Sequence, residues 1–138
     1  MPDQQLTGLK NQLTRDLAAL GQNYAESKKN LFIEYLLLLQ RWNKAYNLTA
    51  IKEPQTMLTR HILDSLAVAP YIEGKRFIDV GTGAGLPGIP LAIACHERDF
   101  DLVDSNGKKI RFLFQVRHHL GLKNVLEKQQ RVEQVVAA

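Results

Sequence analysis

A chain of 138 residues can bury one hydrophobic core and is too short for two independent domains. Its 45% hydrophobic and 23% charged residues exclude a disordered or fibrous chain. No apolar run approaches the ~20 residues that cross a bilayer, and the start through Asp3, Gln4 and Gln5 lacks the basic-then-apolar build of a signal peptide. A cytoplasmic globular protein with no membrane partner is expected, its formal net charge of +4 drawing polyanions such as nucleic acid. The single cysteine, Cys95 in Ile93-Ala94-Cys95, reads as a small buried apolar residue rather than a nucleophile.

In chain order, Leu6, Leu9, Leu13, Leu17 and Leu20 recur every three or four residues, which predicts an amphipathic helix from Asp3 stopped at Gly21. Ser27 reads as the N-cap of a second helix, with Leu31, Phe32, Tyr35, Leu36, Leu39 and Trp42 on a wide core-packing face before Asn47 ends it. Pro54 suits the first turn of a third helix, continued by Met57, Leu58, His61, Ile62, Ser65 and Leu66 to near Val68 and closed by Pro70.

At Arg76 the character changes. Phe77 to Val80 is a short strand running into glycines, and Ile89 to Cys95 a helix marked by Pro87 and Pro90. Asp101-Leu102-Val103 is a second strand, and Gly107 to Leu120 a helix turning Ile110, Leu113, Phe114 and Leu120 inward, with Arg117 on the same stripe and Gly121 as cap. Asn124 to Gln129 reads as a third strand. Strands alternating with helices predict βαβ units and a parallel sheet. The expected fold is α/β and Rossmann-like, with a helical region at 1–72 ahead of the first half of a ligand-binding domain at 73–138. Three strands make half of a doubly wound sheet, so the apolar end Val135-Val136-Ala137-Ala138 reads as that of a truncated chain, and the unpaired strand edge as a route to a homodimer.

The densest signal is Asp79-Val80-Gly81-Thr82-Gly83-Ala84-Gly85-Leu86-Pro87-Gly88, where a strand must turn sharply into a helix. Glycine accepts φ > 0 without penalty and lets a ligand lie against the backbone. The N-terminus of the following helix is expected to offer unpaired N–H groups to a carboxylate or phosphate. Two ligand classes compete. Gly83 through Gly88 matches the dinucleotide pattern G-x-G-x-x-G, with Asp104 about 20 residues on, the offset of a ribose-binding acid. Counted from the strand end at Val80, the glycines are Gly81, Gly83 and Gly85, and Leu86 stands where the third dinucleotide glycine would be. With Asp79 ahead of them, that is the spacing of an S-adenosylmethionine (SAM) turn, whose ligand has no pyrophosphate to demand a third glycine and an ammonium that an acid can face. Asp104 could accept both ribose hydroxyls or cap the next helix, a task open also to Ser105 or Asn106. Glu133 follows the third strand, where such folds contact adenine.

Trp42-Asn43-Lys44-Ala45-Tyr46-Asn47-Leu48-Thr49, Arg60-His61-Ile62-Leu63-Asp64-Ser65, Asp79 through Pro90, Asp104-Ser105 with Lys108-Lys109-Ile110-Arg111-Phe112-Leu113, and Arg131-Val132-Glu133 occur together, in order, over nearly the whole chain. In that combination the sequence resembles the bacterial small-subunit ribosomal RNA guanine-N7 methyltransferases, also called glucose-inhibited division protein B. The resemblance implies SAM-dependent methylation of one guanine N7 in 16S ribosomal RNA, the RNA or the small subunit being the partner. It implies cofactor contacts at Gly81, Leu86, Val132 and Glu133, beside the matching Gly83, Gly85 and Asp104. The family's further arginine-containing segment and its C-terminal half are missing, so a non-catalytic SAM- or RNA-binding remnant is an alternative, as is a dinucleotide-dependent oxidoreductase, against which Leu86 counts.

Guanine N7 has an exposed lone pair, so the site need only hold two atoms in line, without a general base. On residues alone, Arg60 and Asp64 one turn apart read as a surface ion pair beside a satisfied His61. The resemblance implies instead that the three border the methyl-transfer site, Asp64 accepting from the guanine edge and Arg60 contacting phosphate. Lys108, Lys109, Arg111, Arg117, His118 and His119, with Lys123, Lys128 and Arg131 nearby, form either a solvated basic face or an RNA contact.

Overall fold

The computed structural model describes residues 3–137, so Met1, Pro2 and Ala138, at the outer ends of the two expected units, lie outside the described residues. Helix α1 (Asp3–Ala19) buries Leu9, Leu13 and Leu17 and leaves Leu20 exposed, and Gly21 beyond it takes a φ of +71°. Helix α2 (Glu26–Tyr46) starts ahead of Ser27: Ala25 holds the cap position and no side chain caps it. Phe32, Ile33, Tyr35, Leu36, Leu38 and Leu39 form its buried face, and Asn47 ends it in left-handed backbone at φ 51°.

The third helical segment is not the regular helix expected. Pro54 opens α3 (Pro54–Met57), but the six residues Leu58–Leu63 wind as a π-helix before α4 (Asp64–Leu66) closes the segment. Within it the Asp64 N–H bonds the carbonyl of Thr59, five residues back. Arg60 falls inside the π turn and Asp64 caps its end, and both side chains are exposed. Among the described residues no ion pair joins them. Pro70 sits in a short 3₁₀ turn, Ala69–Tyr71.

Strands β1 (Arg76–Val80), β2 (Asp99–Asp104) and β3 (Val125–Gln129) pair in parallel in the order β1-β2-β3. They are joined by α5 (Gly88–Ala94) and α6 (Gly107–Leu120) and followed by α7 (Val132–Ala137), which is the α/β, Rossmann-like arrangement. The register Val80↔Val103 and Asp104↔Gln129 brings the carboxyl ends of all three strands to one edge. Phe100, Leu102 and Val125 are buried on the helix-covered side. The inner face of α6 is rotated from the expected one: Phe112, Leu113, Val116 and Leu120 are buried, whereas Phe114 is 43% exposed and lies against His118. Arg117 makes a two-pronged bond to Glu127 of β3, at 2.8 and 2.9 Å. That supplies its partner on an otherwise apolar stripe.

The opposite face of the sheet exposes Ile78, Val80 and Leu126, with Asp101 between Arg76 (3.8 Å) and Lys128 (3.1 Å). Helix α2 joins the helical region to the sheet layer: Tyr35 and Trp42 both pack on Phe112, with centroids 6.4 and 5.7 Å apart, in one core with Ile89, Leu91 and Leu113. Cys95 is half-buried rather than fully buried, and burial pushes its thiol up, keeping it protonated and inert. None of the described helices is long and apolar enough to cross a membrane.

Candidate functional site

The turn after β1 is tied to β2, because the Gly81 and Thr82 N–H groups both donate to the Val103 carbonyl, at 2.8 and 3.1 Å. Gly81, Gly83 and Gly85 take φ of +71°, +60° and +96°, a region costly for any residue with a Cβ. The surroundings of the glycines differ. A Cβ on Gly81 would meet nothing within 4 Å, whereas one on Gly85 would lie 2.9 Å from Leu113 Cδ2 and press on Ile89. Gly81 is therefore open to a ligand, while the Cβ side of Gly85 serves the packing of α5 and α6.

Asp79 spends one oxygen on the turn: Oδ2 accepts from Thr82 Oγ1 at 2.6 Å and from the Gly88 N–H at 3.0 Å. Burial pushes its carboxyl above the usual range, against the pull of those two bonds. At Gly88 a Cβ would collide with Leu102 Cδ2 and sit 2.8 Å from Asp79 Oδ2. Gly88, two residues beyond Leu86, is thus the glycine that lets α5 approach the sheet.

The expectation of free N–H groups at the start of α5 is overturned. Gly88 donates to Asp79, Ile89 to the Gly85 carbonyl at 2.7 Å and Leu91 to the Pro87 carbonyl at 3.1 Å, and Pro90 has no N–H. A pyrophosphate would find no donors there, which weighs against a dinucleotide more heavily than Leu86 does. Ala84 has the one turn N–H that makes no bond among the described residues. Its carbonyl accepts from Tyr35 Oη at 2.7 Å. Tyr35 is wholly buried, and burial with the nearby Asp79 charge pushes its hydroxyl far up, fixing it as a donor. In the sequence Tyr35 reads as plain core, and the signal for this second duty is that a buried phenol needs an acceptor.

Beyond the strand ends lies a cleft of about 540 Å³ lined by Val80, Gly81, Asp104, Ser105 and 130–133. Its position is the crevice where open α/β sheets take ligands. Of the expected cofactor residues, Gly81, Asp104, Val132 and Glu133 meet on its wall, Val132 and Glu133 being exposed at the start of α7. Asp79, in β1, and Gly83, Gly85 and Leu86, in the turn, do not line the wall. Asp104 Oδ2 accepts from the Gly83 N–H and Oδ1 from the Asn106 N–H, both at 2.9 Å, so each oxygen keeps a second lone pair for a hydroxyl. Helix capping falls to Asn106, whose side chain accepts from the Lys108 and Lys109 N–H groups at 2.9 and 3.2 Å. The side-chain-free backbone at Gly81, with these spare lone pairs beside it, fits an adenosyl group.

Arg60, His61 and Asp64 do not line this cleft. Arg60 and Asp64 are exposed, and His61 is half-buried with Nε2 2.8 Å from Thr49 Oγ1. Burial holds the imidazole below its ordinary value despite the opposing charge of Asp64. The Thr49 N–H donates in turn to Oδ1 of buried Asn43 at 2.8 Å, and Ser65 Oγ donates to the His61 carbonyl at 2.6 Å. The motif ending at Thr49 and the one beginning at Arg60 are therefore stitched together. The basic cluster shrinks: Arg117 is committed to Glu127 and Lys128 to Asp101, leaving Lys108, Arg111, Lys123 and Arg131 exposed.

The family model GidB, described as rRNA small subunit methyltransferase G, matches residues 28–137, which take in α2, the glycine turn, the cleft and α7. The protein named Ribosomal RNA small subunit methyltransferase G from Klebsiella pneumoniae subsp. pneumoniae is 58% identical over 123 residues, covering 89% of this chain and 59% of that relative. Proteins of the same name from Salmonella typhimurium and Salmonella newport are 55% identical over 123 residues, with the same coverage. The chain thus spans 59% of the length of these relatives. Since the family match runs through every element that builds the turn and the cleft, the chain belongs to the GidB family, the rRNA small subunit methyltransferases G.

Proposed function

We propose that this chain takes part in SAM-dependent methylation of N7 of a guanine in 16S ribosomal RNA, in the cytoplasm, with the RNA or the small subunit as substrate. The observation that carries the reading is the convergence of Gly81, Asp104, Val132 and Glu133 on one cleft at the strand ends, in a chain of this family. Residues 73–138 would hold the cofactor, and the helical region 1–72 would face the RNA.

When bound, SAM supplies an electrophilic methyl group on a sulfonium centre. Asp104 would accept the ribose hydroxyls through its spare lone pairs, Val132 and Glu133 would flank the adenine, and the bare backbone of Gly81 and Gly83 would let the ligand lie close. No residue need remove a proton, because the guanine nitrogen attacks with a free lone pair. Neutral His61, held by Thr49, would fix the segment that presents exposed Arg60 to phosphate and Asp64 to the guanine edge.

The test is methyl transfer from labelled SAM to small ribosomal subunits lacking the modification, alongside calorimetry with SAM and with NAD. Heat with SAM and none with NAD is expected; the reverse overturns the reading. Asp104→Asn, which keeps shape and loses charge, is expected to weaken SAM binding roughly tenfold. The uncovered sheet face with Ile78 and Val80 exposed supports a second reading, a SAM- or RNA-binding chain without turnover. Binding without transfer would select it.

A further inference from the structure

We propose that Lys109 is the residue that grips the carboxylate of the cofactor's amino-acid tail, an inference that rests on the SAM reading above. Among the described residues and apart from chain neighbours, the only atom within 4 Å of where a Cβ on Gly83 would stand is Lys109 Nζ, at 3.9 Å. That ammonium makes no hydrogen bond or ion pair among the described residues, although Lys109 is half-buried at the first turn of α6. Its chain neighbour Lys108 and the next basic residue, Arg111, are both exposed. The stem of Lys109 is half-buried while its Nζ stays reachable by water, so the ammonium stands beside the turn with its donors free for an anionic group.

The usual seat for an acid at such a turn is missing. Every N–H at the start of α5 is consumed by Asp79, Gly85 or Pro87, which leaves only the Ala84 N–H of the turn uncommitted. A zwitterionic tail therefore needs a cation from elsewhere. Its direction follows from Asp104. With adenine toward Val132 and Glu133 and ribose on Asp104, the tail is left for the side of Asp104 where Oδ2 bonds the Gly83 N–H. Lys109 stands there, on the helix whose cap, Asn106, is itself bonded to Asp104. One aspartate thereby sets both the ribose site and the helix that delivers the ammonium. An RNA phosphate is the weaker candidate for Lys109, because its amine lies against the turn rather than out with Lys108.

The experiment is titration calorimetry of the full chain with two probes, S-adenosylhomocysteine and 5′-methylthioadenosine, which share the adenosine and thioether but differ in the amino-acid tail. Lys109→Ala is expected to weaken S-adenosylhomocysteine at least roughly tenfold while leaving methylthioadenosine within about twofold. Lys109→Arg should recover most of the loss, and Lys108→Ala should change neither probe. Equal weakening of both probes, or none for S-adenosylhomocysteine, overturns the proposal, the latter with lost RNA affinity reassigning Lys109 to phosphate. Wild-type chain that binds neither probe overturns the SAM reading itself, and this one with it. A melting curve for each variant confirms the fold, and Lys109→Met repeats the test should the alanine variant unfold.

Discussion

At Gly88 a methyl group would meet Leu102 and Asp79 Oδ2 at the tight approach of α5 to the sheet, whereas at Gly81 it would project into empty cleft. Gly88→Ala is therefore expected to cost about 1–3 kcal/mol in chemical denaturation, the range for overpacking a core. Gly81→Ala is expected to cost about 1–2 kcal/mol from its φ alone, and to lose cofactor binding out of proportion to that cost. His61 gives a pH-dependent prediction. Its folded value lies below its ordinary value near 6.5, so the unfolded chain takes up the proton more readily. The associated stability is complete above pH 6.5 and is lost as pH falls through that value toward the folded one. Melting temperature should drop between pH 7.5 and 5.5, less steeply in His61→Gln, and an unchanged slope in that variant would remove His61 as the cause.

Among the elements, α6 divides its basic residues between two duties. Arg117→Ala would strand the Glu127 carboxylate, whose side chain is only 9% exposed, and is expected to cost roughly 2 kcal/mol by denaturation, less whatever water at the 26% exposed arginine recovers. Replacing both partners by leucine should return much of it. Lys108→Ala removes an exposed charge and should leave stability within about 0.5 kcal/mol. If α6 meets RNA, the same change should shallow the salt dependence of RNA binding by about one unit, and an identical slope would confine the helix to a structural role. The π-helix of Leu58–Leu63 has no such sequence signal, since Met57, Leu58, Ile62, Ser65 and Leu66 satisfy an α stripe equally well.

For the whole molecule, the face carrying Ile78, Val80 and Leu126 and the edge of β1 have no partner among the described residues. An open parallel edge beside apolar side chains favours self-association. A dimer by size-exclusion chromatography with light scattering is expected, with Ile78→Lys shifting it toward monomer; a wild-type monomer at every concentration would count against it. The order of the three strands with the two helices between them, the stops at Gly21, Asn47 and Gly121, and the location of the glycine turn were written in the sequence itself, whereas α7 was not. They follow from local causes, apolar periodicity and positive φ, that act between near neighbours in the chain. Tertiary structure alone decided that Gly81 faces the open cleft while Gly88 faces Leu102, that Phe114 turns outward, and that His61 meets Thr49. Each of those outcomes depends on atoms brought close by packing from distant parts of the chain, and no spacing along the sequence records such a meeting.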